Sequence, residues 1–184
     1  MPPGIRGRRP LSRSRPRGRL HRVGDQRCTN AAYAANDAGT GSVDVFDSTF
    51  APVTLAAGAF VYPALPAGLV PFNVQEIGGN VYVTYAPAGR ANQTSAPLGA
   101  GAVAIFDEDG TFITQLIAGG RLAAPWGFTL APTGFGRFIN HLLVGNFSYR
   151  NSEINAFDPT TGKLRGTIRI AVGKGRTSGV DDVR

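Results

Sequence analysis

Gly41-Ser-Val-Asp-Val-Phe-Asp47 returns as Gly101-Ala-Val-Ala-Ile-Phe-Asp107 and again as Ser152-Glu-Ile-Asn-Ala-Phe-Asp158. The closing aspartates stand 60 and 51 positions apart, a spacing that suits repeats of about forty to fifty residues with loop insertions. By the two-residue period of a strand, Val43 and Val45 share one face while Asp44 and Phe46 share the other. In the second copy Val103 and Ile105 oppose Ala104 and Phe106, and in the third Ile154 and Ala156 oppose Asn155 and Phe157. Both faces are largely apolar in all three. That is the pattern of a strand covered on each side, as when small sheets stack face to face.

The flanks of the phrase recur as well. Ala31 to Asn36 reads as a short apolar strand, followed by a turn cluster from Asp37 to Gly41. Pro71-Phe-Asn-Val-Gln-Glu-Ile77 matches Pro125-Trp-Gly-Phe-Thr-Leu130, and Val81-Tyr-Val-Thr-Tyr85 matches Leu142-Leu-Val-Gly-Asn-Phe147. After the second and third phrases come Glu108-Asp-Gly110 and Pro159-Thr-Thr-Gly162, good hairpin connectors because Asp caps a turn and Gly takes a positive φ. Outer strands follow at 111–117 and 163–170. The unit is thus a four-stranded antiparallel blade: a Pro-aromatic opener, an aliphatic second strand, the Phe-Asp third strand and an outer fourth.

The predicted fold class is all-β, a partial β-propeller with under three blades. Units fall at about 31–60 (lacking an opener), 71–118 and 125–170 within a domain spanning 29–174, with a C-terminal tail over 175–184. A closed ring needs about four to eight blades. The chain is therefore expected to be a fragment of a longer protein or to close by association.

Charge is distributed unevenly. Residues 1–28 carry +8, and residues 29–184 carry −1. The globular part has no electrostatic footprint for nucleic acid, and the chain's basicity belongs to its first 28 residues. Residues 1–19 are Arg, Pro, Gly or Ser at 16 of 19 positions, a composition that predicts disorder. That segment reads as a solvated tail, as a basic arm for nucleic acid or anionic membrane, or as sequence translated out of frame. Cys28 is the single cysteine, so no intrachain disulfide forms. The long uncharged run at 48–75 is punctuated by Pro52, Pro63, Pro66 and Pro71 and is no membrane helix. Residues 1–28 supply no apolar stretch of the kind an export signal has.

Taken in order, 41–47, Leu-Pro-Ala-Gly (65–68), Pro-Phe-Asn-Val-Gln (71–75), Val-Tyr-Val-Thr-Tyr-Ala (81–86), Ala-Pro-Trp-Gly (124–127), Leu-Ala-Pro-Thr-Gly-Phe-Gly (130–136), Leu-Leu-Val-Gly-Asn-Phe (142–147) and 154–162 resemble an uncharacterised family of exported bacterial six-bladed propellers, related to the NHL-repeat proteins. The resemblance implies an extracellular or periplasmic location and brings no activity with it.

Asp47, Asp107 and Asp158 are read as turn caps, each accepting backbone N–H groups, with metal ligation as the alternative. Trp126 and Asn73 sit on openers, which line a propeller's channel, and Asn36 and Asn146 end second strands near its rim. These four are the candidate ligand-binding residues. Propellers of the gluconolactonase type hold Ca²⁺ near that position with a carboxylate and Asn side chains, which makes Glu76 the candidate carboxylate and a calcium-dependent hydrolase the rival function. No Gly-x-Ser-x-Gly elbow, P-loop, dinucleotide fingerprint or His/Cys metal spacing is present. The leading expectation is a non-enzymatic scaffold that binds a protein or glycan through loops such as the polar, Gly/Pro-rich 87–100.

Overall fold

The computed structural model describes residues 31–35 and 41–169. The basic segment 1–28, Asn36 and the segment 175–184 lie outside the described residues. The strands are β1 (Ala32–Ala35), β2 (Val43–Phe46), β3 (Leu69–Ile77), β4 (Asn80–Pro87), β5 (Ala102–Phe106), β6 (Phe112–Ala118), β7 (Pro125–Leu130), β8 (Leu142–Asn146), β9 (Glu153–Phe157) and β10 (Leu164–Arg169). One short helix, α1 (Arg90–Thr94), lies between β4 and β5.

The chain is all-β with antiparallel four-stranded sheets. β3-β4-β5-β6 form one antiparallel meander and β7-β8-β9-β10 another, while β1 and β2 pair alone. The three phrases are β2, β5 and β9, and each pairs with the aliphatic strand before it. No closed ring forms among the described residues.

The two-faced pattern of the phrase becomes the stacking of the sheets. From β5, Ala102, Ala104 and Phe106 enter one core with Val43 and Val45 of β2, joined by Phe60 and Tyr62. The opposite face sends Val103 and Ile105 into a second core with Phe128, Leu142, Val144 and Phe157. The middle sheet is therefore sandwiched, and every residue of β5 is buried. A polarity follows. The aliphatic pair of the first and second phrases turns toward the following sheet, and the Phe of the second and third copies turns toward the preceding one.

Two faces depart from the expectation of cover on both sides. In β2, Asp44 is exposed and Phe46 only half-buried, because no described element lies on that side. On β9, Ile154 and Ala156 are covered by Phe138 and Leu143 instead of by a further sheet. Phe138 comes from the long β7–β8 connection, and its ring lies where a Cβ on Gly166 would stand, 2.6 Å away. The polar loop 87–100 also contains α1, whose Gln93 is buried. Five residues are too few to show a helical period in sequence, so nothing there announces the helix. Strand ends shift by a residue or two from the expected bounds: β3 begins at Leu69, β6 at Phe112 and β10 at Leu164.

The hairpin glycines of successive units also abut the preceding unit. Gly110 has φ 85° and its missing Cβ would meet Phe60 at 2.8 Å. Gly162 has φ 66° and would meet the carbonyl of Leu116. At Gly162 an L-residue meets both left-handed strain and a rigid backbone group. Gly162→Ala is expected to destabilise the protein by about 2–4 kcal/mol, read as a lower urea midpoint at unchanged slope.

Candidate functional site

The antiparallel order gives the stack two chemically different ends. At the lower end lie the β3–β4, β5–β6 and β9–β10 turns, and here the acids gather: Glu76, Asp107, Glu108, Asp109 and Asp158. Asp47 joins them, since Gly41 at the start of β2 sits against Val70 at the start of β3, which sends the end of β2 downward. The upper end holds the starts of β3 and β7, the end of β8, and α1.

At the lower end the three phrase aspartates bind their own turns. Asp47 Oδ1 accepts the N–H groups of Thr49 (2.8 Å) and Ala51 (3.0 Å) and the Thr49 hydroxyl (2.7 Å). Asp107 Oδ1 accepts those of Asp109 (3.1 Å) and Thr111 (2.7 Å). Asp158 Oδ1 accepts those of Thr160 (3.0 Å) and Thr161 (2.9 Å), and its Oδ2 takes a 2.7 Å bond from Arg165. The Thr49 hydroxyl, then the two N–H groups, hold the Asp47 carboxyl below its ordinary range. Arg165 first, then the Thr161 and Thr160 N–H groups, do the same more strongly for Asp158.

The upper end is aromatic. Phe72 of β3 and Trp126 of β7 occupy matching opener positions on neighbouring sheets, with ring centroids 4.6 Å apart. Phe147, just past β8, lies 5.7 Å from Phe72 and 6.1 Å from Trp126, and Tyr149 continues the run 6.5 Å further on. Phe72 is buried, but Trp126 is 48% and Tyr149 72% exposed. The Arg90 guanidinium sits over the Phe147 ring at 5.4 Å, a cation–π contact.

The polar residues expected to bind a ligand here are committed to the fold. Asn73 donates from Nδ2 to the Trp126 carbonyl (2.7 Å) and accepts from the Val74 N–H (2.9 Å), tying opener to opener. Asn146 accepts from the Ala123 N–H (3.0 Å) and donates to the Arg121 carbonyl (2.9 Å), clamping the strand-free turn before β7. Asn155, which sequence reading treated only as a strand residue, donates to that same Arg121 carbonyl (3.2 Å) and accepts from the Thr167 hydroxyl (2.7 Å). Glu76 lies at the lower end, where its carboxylate accepts from the Gly79 N–H (2.6 Å). The carboxylate expected of a Ca²⁺ site thus lies at the lower end of β3, three residues beyond Asn73, and both it and the amides are already paired with backbone groups. No group of three His, Cys, Asp or Glu side chains suited to a metal occurs among the described residues.

The exposed Trp126 and Tyr149 rings, with Phe147 and Arg90 between and beside them, are what the upper end offers to another molecule. Trp126 was legible as an opener residue. Phe147 and Tyr149 were missed as partners because only the fold brings the end of β8 beside the openers.

Comparison with known proteins finds viral relatives. The chain is 31% identical over 122 residues to an uncharacterised protein of Acanthamoeba polyphaga mimivirus, covering 63% of this chain and 22% of that protein. A second uncharacterised mimivirus protein is 36% identical over 96 residues, covering 51% and 24% respectively, and a third is 31% identical over 138 residues, covering 71% and 35%. The chain thus spans between about a fifth and about a third of the length of these curated relatives. No protein-family model and no solved structure matches. These findings overturn the expected membership of an exported bacterial propeller family. The expectation of an extracellular or periplasmic location had no other support. No helix among the described residues is long and apolar enough to cross a membrane.

Two measurements follow from the geometry. Asn146→Ala strands the Ala123 N–H and one contact of the Arg121 carbonyl in a part-buried site, and should lower stability by about 1–3 kcal/mol in urea unfolding. Asp47 and Asp158 have depressed carboxyl pKa values, so their contribution is present above the ordinary value of 3.8 and is lost as pH falls below it. Asp47 is exposed and Asp158 lies at the surface, partly covered, where solvent screens its ion pair, so the effect is small; Asp158→Asn should make stability fall less steeply between pH 4 and pH 2.

Proposed function

We propose that this chain is a propeller-type stack of repeat sheets that acts as a non-enzymatic binding segment, with its upper aromatic end as the binding surface. The repeat phrase, the two four-stranded meanders and their face-to-face packing in chain order support the propeller reading. One observation carries the binding reading: Trp126 presents nearly half its surface at the centre of an aromatic run whose neighbouring amides are tied into the backbone. A large exposed ring held rigidly by Phe72 and by the Asn73 bond loses little entropy when a partner covers it. Among the described residues the same commitments leave no acid–base pair beside it, and a surface that recognises by stacking fits this arrangement better than one that turns over a substrate. The partner class is a glycan or a protein loop.

The test is binding to printed glycan and peptide arrays, comparing the native protein with Trp126→Ala and Tyr149→Ala. Tyr149 is 72% exposed, so Tyr149→Ala should change stability by less than about 1 kcal/mol, whereas Trp126→Ala, which removes a ring half covered by Phe72 and Phe147, should cost about 1–3 kcal/mol and still give a folded protein. Signal on at least one ligand should fall about tenfold or more in Trp126→Ala, the loss typical of a central aromatic contact. Equal signal from Trp126→Ala on every ligand bound would contradict the assignment.

A further inference from the structure

The upper end is distinguished by charge as well as by its rings. Among the described residues its cations are Arg90, Arg121, Arg150 and Arg169, the last ending β10 in register with Glu153, and its one acid is Glu153. Glu153 is largely buried and already holds Arg121 at 2.7 Å. Arg90 and Arg150 are exposed and make no ion pair among the described residues. The guanidiniums of Arg90 and Arg150 therefore accompany the two exposed rings, while the other acids among the described residues lie at the lower end, except Asp44 on the outer face of β2.

Resting on the binding reading above, we propose that the upper end recognises an acidic saccharide, a chain of uronate-type sugars. A pyranose ring has an apolar C–H face that lies against an indole and a polar edge that does not, so Trp126 and Tyr149 supply platforms for successive sugars. A guanidinium meets a carboxylate with two parallel N–H donors, and Arg90 is held in place by the Phe147 ring beneath it. A carboxylate on each sugar matches Arg90 and Arg150. A single-stranded nucleic acid fits less well. It needs a row of open ring faces and a track of cations along its phosphates. Here Phe72 meets Trp126 edge-on, Phe147 is half-buried beneath Arg90, and Arg90 and Arg150 do not form a continuous track of cations.

Trp126 is the only tryptophan in the chain, so its fluorescence reports on this surface alone. The full chain would be titrated with tri-galacturonate, with maltotriose as an uncharged match, and with single-stranded oligothymidylate. Tri-galacturonate should shift Trp126 emission saturably and bind about tenfold more tightly than maltotriose. Its affinity should fall about tenfold in an Arg90→Gln/Arg150→Gln variant, and again at about 0.5 M salt. Equal binding of maltotriose, tighter binding of oligothymidylate, or no response to tri-galacturonate would each overturn the proposal. Array ligands lost in Trp126→Ala would in those cases leave the binding reading intact, and their absence would remove both.

Discussion

The whole architecture depends on one strand being covered on both faces. β5 places Ala104 and Phe106 against the preceding pair of strands and Val103 and Ile105 against the following sheet, all of them buried. Fully burying a side chain of this size stabilises by about 1.5–3 kcal/mol relative to leaving it exposed. β5 is buried along its whole length, and its partner β4 is buried from Val81 to Ala86. Because the pleat alternates strictly, a one-residue slip would exchange the two sets of side chains between two different cores. The register of β5 therefore fixes the separation and order of all three units, and with them the approach of one opener to the next.

That approach builds the upper end. Phe72 and Trp126 occupy equivalent repeat positions, and they meet only because their sheets are packed together; Asn73 then bonds across the same gap. The site is a product of the repeat, since each new sheet adds one aromatic opener beside the last. The two ends also divide their chemistry. Aspartates stabilise tight turns below by accepting backbone N–H groups, whereas arginines and rings face outward above. The acids that tighten the turns are consequently kept away from the aromatic surface.

Much of the fold was legible because the phrase is said three times and carries its own two-residue period. The openers, the second strands and the hairpin glycines followed from matching flanks. What escaped depends on contacts between distant segments. The cover over Ile154 and Ala156 comes from Phe138 in a loop with no period of its own, and the exposure of Asp44 reflects the lack of a described neighbour on that face. At the site, Asn73 and Asn146 were rightly placed at the openers and strand ends as positions, but an amide's partners cannot be read from sequence, and both bond to backbone. Glu76 is in the same strand as Asn73, yet β3 is long enough to carry it to the other end of the sheet.

The packing of one opener on the next links fold to site, and a single contact reports on it. In a nuclear Overhauser spectrum of the folded protein, the indole protons of Trp126 should show strong cross-peaks to the ring protons of Phe72, whose centroid lies 4.6 Å away. Trp126 is unique in the chain, so its indole signal is unambiguous. The predicted result is that contact, together with cross-peaks to Phe147. An indole that shows only contacts within its own strand would mean that the two sheets do not pack as described, and would contradict both the stack and the surface built upon it.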